Sequence, residues 1–439
     1  MRKEREETRG APLLVLPPFE TRPPHFSSQA VDSAGDSPRK LATSPLSTAQ
    51  VTALAGGSPP PPDTSCVGVE LKTPVAPGAT WGVATSAVFT RALVPLPAVR
   101  SQADPHRLAF NASHLLLSPY PVSNQTLTVD LPCTSKGLLA ATPRQPMADD
   151  GQGVLTFGPF EATASPWSAS PLFLHFTDDS PAPRAIALER EVTVSHWGNV
   201  AVDEAFDLTN DGAALVGGWS RYDFDTAPRA TGKGAALVAL TGTLPKAARW
   251  VYFKDSIGNV SSSSVKPSRS RLDVRLEPRF PLAPGWRTTF KFGYSLPLAV
   301  VAGREGKAGG RVRVTVPLGT PLTGVSADLL STTVILPEGA SAIRVDTPFG
   351  SDGTVTLSTG TRATTLDTVG RLTVTATVRN AVGEHMAAPL VVTYALHPLR
   401  PFVEPFMLVA AFGALFGVAM LARRTDVSLG GGEGKVKGA

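Results

Sequence analysis

The sequence is poor in the side chains that most active sites need. Only two of its 439 residues are cysteine, Cys66 and Cys133. Neither has a C-x-x-C partner, which removes the usual thiol-redox and zinc arrangements. A secretory compartment would permit a bridge between them, but the spacing does not demand one, and two separate thiols are expected. Seven histidines are scattered without an H-E-x-x-H, and no G-x-S-x-G, Walker loop or dinucleotide fingerprint occurs. Charged residues make up only 18%, below the usual quarter. The net charge of +5 is spread along the chain without a basic block, so a nucleic-acid partner has no patch to bind.

What is abundant is turn punctuation. With 40 glycines and 41 prolines, long helices are disfavoured and short strands joined by turns are expected. From about Val67 to Leu399 the chain reads as β-type runs, for instance Thr80–Val94, Arg190–Trp197, Arg271–Phe280, Arg287–Leu296, Gly310–Val316 and Arg371–Val378. Several alternate apolar and polar residues, the pattern of a sheet with one buried face. Few helical stretches are available for crossovers, so antiparallel sandwiches fit better than a parallel sheet. Hydrophobic residues at 42% suffice for a core.

One long apolar run stands apart, Pro405 to Ala422, with no charge inside it. As a helix it spans roughly 27 Å, the short end for a bilayer crossing and close to the thinner membrane of the endoplasmic reticulum. Glu404 bounds it on one side and Arg423-Arg424 on the other. Arg423, Arg424, Lys435 and Lys437 follow it, whereas only Arg400 and Arg379 lie near its other side. The positive-inside rule then predicts a cytosolic tail and a large lumenal N-terminal part. Gly413 with Gly417, and Ala410 with Ala414, place small residues on a helix face where a second helix could pack.

These features divide the chain into segments. Residues 1–66 are rich in Ser, Pro, Ala and Gly and are expected to be disordered or wrongly delimited. No apolar stretch with a cleavage site follows the charged start, so the true start of a type I protein is expected to be missing. Residues 67–199 form a first lumenal β domain, 200–275 a β domain opening a second repeat, and 276–400 a second lumenal β domain. Residues 401–424 form the transmembrane helix and 425–439 the cytosolic tail. The repeat rests on echoes: Val75-Ala76-Pro77-Gly78 with Leu282-Ala283-Pro284-Gly285, and Thr128–Pro132 with Thr333–Pro337. In the latter pair a Thr-Pro follows at equal spacing, starting at Thr142 and Thr347.

Candidate chemistry is sparse. Asn111, Asn124 and Asn259 open N-x-S/T sequons, which a lumenal domain would expose to glycosylation, with Asn259 the most loop-like. Asp223-Phe224-Asp225 has the spacing by which two carboxylates on one strand face could meet a divalent cation. No nucleotide-binding pattern surrounds it, and catalysis there is not expected. His196 beside Trp197 reads as a packed turn rather than a base.

Several stretches resemble the ribophorin I family. They include Ser195-His196-Trp197-Gly198-Asn199-Val200-Ala201-Val202, Trp219–Asp223, Asp255–Ser261, Glu277–Leu282 with Gly285-Trp286, and Ile335–Ala340. Leu366-Asp367 with Gly370-Arg371, Glu404-Pro405 with Val409–Phe412, Ser118–Pro121 and Gly158–Phe160 fit as well. The likeness runs in order from Val67 to Leu429 and departs at the two ends; its pattern also lacks the second Asp of the Asp223/Asp225 pair. It implies a mainly β lumenal body on one membrane helix, without cofactor, metal or catalytic residues of its own. It further implies a non-catalytic subunit of the endoplasmic reticulum oligosaccharyltransferase, in which another subunit transfers a preassembled oligosaccharide from dolichyl diphosphate to Asn of N-x-S/T in nascent chains. The partners so implied are the other subunits, the nascent polypeptide, membrane lipid, and a nearby translocon and ribosome. A different reading of the same layout is a type I receptor or adhesion protein of the secretory pathway, since sandwich ectodomains on one anchor are common there.

Overall fold

The structure, a computed structural model, describes residues 82–424 apart from 133–136, 144–146, 162, 227–234, 306–310, 350–353, 365–366, 368 and 398, together with short elements between 13 and 69. The early elements are β1 (Leu13–Val15), β2 (Gln29–Asp32), β3 (Arg39–Leu41), β4 (Thr43–Leu46), α1 (Thr48–Leu54), β5 (Cys66–Val69) and β6 (Val83–Ser86). They build two small sheets, β1-β5-β4 and β3-β2-β6, in which β1 to β4 come from residues 1–66, whose composition predicts no structure. Local chemistry still marks α1: the Ser47 amide donates to Gln50 Oε1 at 2.9 Å while Ser47 Oγ accepts from the Gln50 amide, a capping box. Cys66 opens β5. It is a buried free thiol packed with Val51 and Leu117, and burial pushes its pKa up. Cys133 and the turn Val75–Gly78 lie outside the described residues.

A first sandwich follows, from β7 (Leu93–Pro95), β8 (Val99–Arg100), β9 (Arg107–Ser113), β10 (Gln125–Asp130), β11 (Leu138–Thr142), β12 (Met147–Asp149), β13 (Val154–Phe160) and β14 (Pro171–Thr177). Sheet β11-β14-β9-β7 faces sheet β10-β13-β12. Alternation sets the facing: Leu127 and Val129 of β10 turn inward while Thr126, Thr128 and Asp130 are exposed. Leu155, Phe157, Leu172 and Leu174 close the core between the layers.

The middle of the chain holds β15 (Ala182–Val194), β16 (Asn199–Asp211), β17 (Ala214–Leu215), α2 (Arg221–Thr226), β18 (Leu240–Pro245), β19 (Arg249–Asp255), β20 (Ser264–Pro267), β21 (Arg271–Leu276), β22 (Arg287–Pro297) and α3 (Leu298–Val301). Then come β23 (Ala302–Glu305), β24 (Arg311–Pro317), β25 (Ser326–Ile335), β26 (Ser341–Asp346), β27 (Val355–Arg362), β28 (Arg371–Ala381), α4 (Gly383–Ala387), β29 (Pro389–Ala395) and α5 (Val403–Arg424). In this last unit β26-β29-β24-β23 faces β25-β28-β27, which repeats the strand order of the first sandwich strand for strand. Val129 of β10 and Val334 of β25, matched in the sequence echo, occupy equivalent strands.

The two copies differ at one edge. β10 ends its sheet, whereas β25 is joined by β15 in parallel, from Arg184↔Ser326 to Thr193↔Ile335. The result is a seven-stranded sheet, β19-β22-β16-β15-β25-β28-β27, with β18-β21-β20 packed on its β19 side. The described sheets are otherwise antiparallel, as expected, apart from the short β8–β17 pair. A parallel pair needs a long crossover, and residues 195–325, an entire half-sandwich, supply it in place of a helix. The division drawn at residues 199/200 falls at the start of β16, in a hairpin both of whose strands belong to this sheet.

Two charged side chains sit inside this junction. Arg190 of β15 and Glu204 of β16 are cross-strand partners, buried and paired. Glu204 Oε2 also accepts from the Thr320 hydroxyl at 2.7 Å, and Arg190 Nη2 donates to Tyr294 Oη at 3.3 Å. Burial pushes the Glu204 pKa up, against the pull of Arg190 and Thr320. Burial also disfavours the Arg190 charge, yet Tyr294 and Glu204 outweigh it and its pKa rises. A pair so desolvated adds little net stability, but either charge left alone is costly. Arg190→Met should therefore destabilise the fold by about 3–5 kcal/mol, and Arg190→Met with Glu204→Met should recover most of that loss. Chemical unfolding of the detergent-solubilised chain, followed by tryptophan emission, reads both.

Candidate functional site

The strands of the large sheet end together on one side, because Thr193 pairs with Ile335 and Ile335 with Thr373. At that end the β15–β16 turn, the loop after β25 and the start of β28 meet the first turn of α5. A cavity of about 50 Å³ lies among them, lined by Ser195, His196, Trp197, Glu338, Arg371 and Glu404, with Arg400 beside it. The distinctive turn of the sequence is thus placed at the root of the apolar helix.

The turn is held from inside. The Ser195 amide donates to the Asn199 carbonyl at 2.9 Å, and Gly198 adopts a φ of +97°, a left-handed conformation that favours glycine. The His196 ring stands edge-on to Tyr394, with centroids 6.1 Å apart and Nε2 3.4 Å from the Tyr394 hydroxyl. Burial lowers the His196 pKa and pushes that of Tyr394 up to about 12. His196 is thus the packed turn residue the sequence suggests. Asn199 opens β16, and Trp197 is left 65% exposed.

Carboxylate oxygens of Glu338, Asp367 and Glu404 lie within 4.8 Å of one another. A trio of this kind can hold a hard cation, but here a guanidinium stands among them. Arg371 Nε donates to Asp367 Oδ1 at 3.0 Å and Arg371 Nη2 to Glu404 Oε1 at 3.1 Å. Glu338 accepts from the Val369 amide at 2.8 Å. Gly339, at a φ of +77°, completes the join: a methyl group there would fall 2.8 Å from Arg400 Cδ. Side-chain ion pairing therefore clasps the sandwich to the helix. Arginine suits the task because its planar fork reaches two carboxylates at once.

The other candidate residues are dispersed. Asp223 and Asp225 lie on α2, not on a strand, so at a helical 100° per residue they diverge instead of sharing a face; Asp225 pairs with Arg221 at 3.6 Å. The metal arrangement considered from their spacing is thereby removed. Asn111 is exposed in the middle of β9, and Asn124, exposed with a φ of +54°, precedes β10. Asn259 is exposed too, though less loop-like than its sequence suggests: it forms a single bridge to Lys254 at the close of a tight turn. There Arg279 holds the Asp255 carboxyl down to about 2. Gly413, Gly417, Ala410 and Ala414 are all exposed on α5, none of whose residues is buried.

The clasp and the buried ion pair carry no motif that sequence reasoning could seize. One signal was present for the pair: Arg190 and Glu204 stand seven residues on either side of Trp197 in the turn, as cross-strand partners of this hairpin must. For the clasp, burial opposes ionisation of Asp367, yet bonds from Thr364 and Arg371 outweigh it and hold its pKa below the ordinary value. A lowered folded-state pKa means stability present above the unfolded value of about 4 and lost as pH falls through the folded one. The difference in melting temperature between the wild-type chain and Asp367→Asn should thus be constant from pH 7 to 5 and shrink below about pH 4. Differential scanning fluorimetry across that range checks it.

Comparison with known proteins agrees with this layout. The chain matches the Ribophorin I family over residues 27–423. It is 34% identical over 370 residues to dolichyl-diphosphooligosaccharide–protein glycosyltransferase subunit 1A of Arabidopsis thaliana, covering 84% of this chain and 58% of that protein. It is 33% identical over 369 residues to subunit 1B of the same plant, covering 84% and 77%. With subunit 1 of Caenorhabditis elegans the identity is 32% over 363 residues, covering 82% and 60%. The chain thus spans under two thirds of the length of the first of these relatives. Among solved structures, an M1 zinc metallopeptidase from Deinococcus radiodurans aligns with a TM-score of 0.28 at 15% identity, over 48% of this chain and 42% of that one, too slight a likeness to carry meaning. Since the family match extends from the early strands through the Ser195–Asn199 turn, the Arg371–Glu404 clasp and the apolar helix, this chain belongs to the ribophorin I family.

Proposed function

We propose that the chain is an accessory, non-catalytic subunit of the endoplasmic reticulum oligosaccharyltransferase, supporting en bloc transfer of oligosaccharide from dolichyl diphosphate to Asn of N-x-S/T in nascent chains. One observation carries this reading: the family match includes the anchor and the elements that fix it to the body, and three relatives named as subunit 1 of that transferase align over more than four fifths of the chain. In this role α5 docks among the membrane helices of the complex through Gly413, Gly417, Ala410 and Ala414, where small side chains let backbones approach. The body faces the lumen, and the tail, richer in Lys and Arg, stays cytosolic. The sandwiches then hold partner subunits or the nascent polypeptide near the translocon and ribosome, while bond-making belongs to another subunit.

Physical support comes from the coupling at the helix root. Arg371 bridging Asp367 and Glu404 makes a docked helix position the sandwiches above it, which a flexible linker would not do. Immunocapture from digitonin-solubilised microsomes should recover the catalytic transferase subunit together with this chain. Recovery of the chain without that subunit would favour the receptor or adhesion reading instead. Gly413→Ile with Gly417→Ile should lower the recovered partner several-fold at unchanged expression; equal recovery would remove helix pairing. Endoglycosidase H should raise the gel mobility of the wild-type chain but not that of a variant with Asn111, Asn124 and Asn259 all changed to Gln, which checks lumenal exposure.

A further inference from the structure

The end of the body from which α5 leaves is unusually apolar for a water-facing surface. Trp197 in the β15–β16 turn is 65% exposed, Val369 before β28 67%, and Leu399 and Phe402 just ahead of α5 65% and 49%. These come from three separate stretches, yet the clasp gathers them. Val369 donates its amide to Glu338, and Glu338, Trp197 and Glu404 line one cavity. Leu399 and Phe402 are joined to Glu404 by a single turn of chain. Trp197 is also held in place. Its turn is fixed by His196 on Tyr394, by the left-handed Gly198, and by the Leu298 amide donating to the Gly198 carbonyl at 2.9 Å.

We propose that this end is a lipid-contacting foot, with Trp197, Val369, Leu399 and Phe402 seated in the headgroup region of the bilayer that α5 crosses. The occupant follows from continuity. Glu404 marks the edge of the apolar segment, and Pro405 begins the run that must enter hydrocarbon. Phe402 and Leu399 precede Glu404 by two and five residues, and Trp197 lines the cavity that Glu404 also lines, so these side chains start at that boundary. A tryptophan suits such a level, since its ring is apolar while its N–H still reaches phosphate or ester oxygens. Arg400, beside the same cavity, sits where lipid phosphates would be. The foot explains why the body is held rigidly to its helix: a clasp without flexibility keeps these four side chains at one depth. It depends on α5 crossing a membrane and not on which complex the chain serves.

The test uses the full chain reconstituted in phosphatidylcholine vesicles with or without bromine at acyl carbons 6 and 7, which quenches tryptophan only at or below the headgroup boundary. Trp250 is the control: it is 82% exposed and stands on β19, the edge of the sheet, three strands or roughly 14 Å across from β15. Trp197→Phe should remove most of the bromolipid-quenched emission, and the emission lost should be one that aqueous iodide reaches poorly. Trp250→Phe should instead remove emission that iodide quenches. Bromolipid quenching unchanged by Trp197→Phe, or a Trp197 component as open to iodide as that of Trp250, would overturn the foot. Trp197→Ala, compared by trypsin resistance of the vesicle-bound chain, guards against misreading a misfolded variant: a folded Ala variant must show the same loss.

Discussion

The parallel pairing of β15 with β25 is the constraint from which the rest of the architecture follows. It joins strands more than a hundred residues apart in sequence and merges the middle half-sandwich with the second repeat into one continuous sheet. The hairpin that presents β15 is pinned by Arg190, whose guanidinium must meet Glu204 on β16, because a one-residue slip between these two strands would leave both charges buried and alone. Thr320, from the loop before β25, completes the arrangement by donating to Glu204. The pair therefore sets alignment more than it adds net stability.

That alignment decides what meets at the root of the helix. With Thr193 level with Ile335, the β15–β16 turn and the Pro337–Gly339 loop emerge side by side, and Arg371 of the adjacent β28 faces both. Arg371 then reaches Asp367 and Glu404, so the membrane helix begins as an extension of the sheet's hydrogen-bonded frame. Further links tie in the first sandwich. The buried His106 donates from Nδ1 to the Asp178 carbonyl at 2.7 Å and accepts the Ala213 amide at Nε2 at 3.1 Å. β8 and β17 pair in parallel beside it. Arg184 meets Asp211 and Asp328 across β15, β16 and β25 at 2.5 Å each. Links of this kind make the body one frame for whatever docks on its surfaces.

The two repeats show how one strand order serves two ends. In the first copy β10 finishes its sheet, with Thr126, Thr128 and Asp130 turned to solvent, and its small core is closed by Leu155, Phe157, Leu172 and Leu174. In the second copy the equivalent strand, β25, has a partner on both sides, and its core runs on without a break into the middle layers. The difference is carried by β15, which pairs with β16 along one edge and offers the other, over Arg184–Thr193, to β25.

Much of this was written in the chain. Alternation in the runs Arg287–Leu296 and Gly310–Val316 declared half-buried strands, now β22 and β24, because neighbouring side chains on a strand must face opposite ways. The uncharged run bounded by Glu404 and Arg423 declared a membrane helix, because no charge tolerates hydrocarbon cheaply. The echo of Thr128–Pro132 in Thr333–Pro337 announced the repeat, because equivalent strands need equivalent residues. Other features are set by contacts between distant residues and leave no local trace. The helix under Asp223 and Asp225 is the exception, a local effect hidden by the D-x-D spacing: Ser220 accepts the Asp223 amide at 3.2 Å and Phe224 packs on Trp219. The parallel join, the cation among three carboxylates, and the meeting of Trp197 with the root of α5 arise only when strands far apart in sequence are brought into register. Pairing register is a property of the assembled sheet, and short-range periodicity carries no information about it.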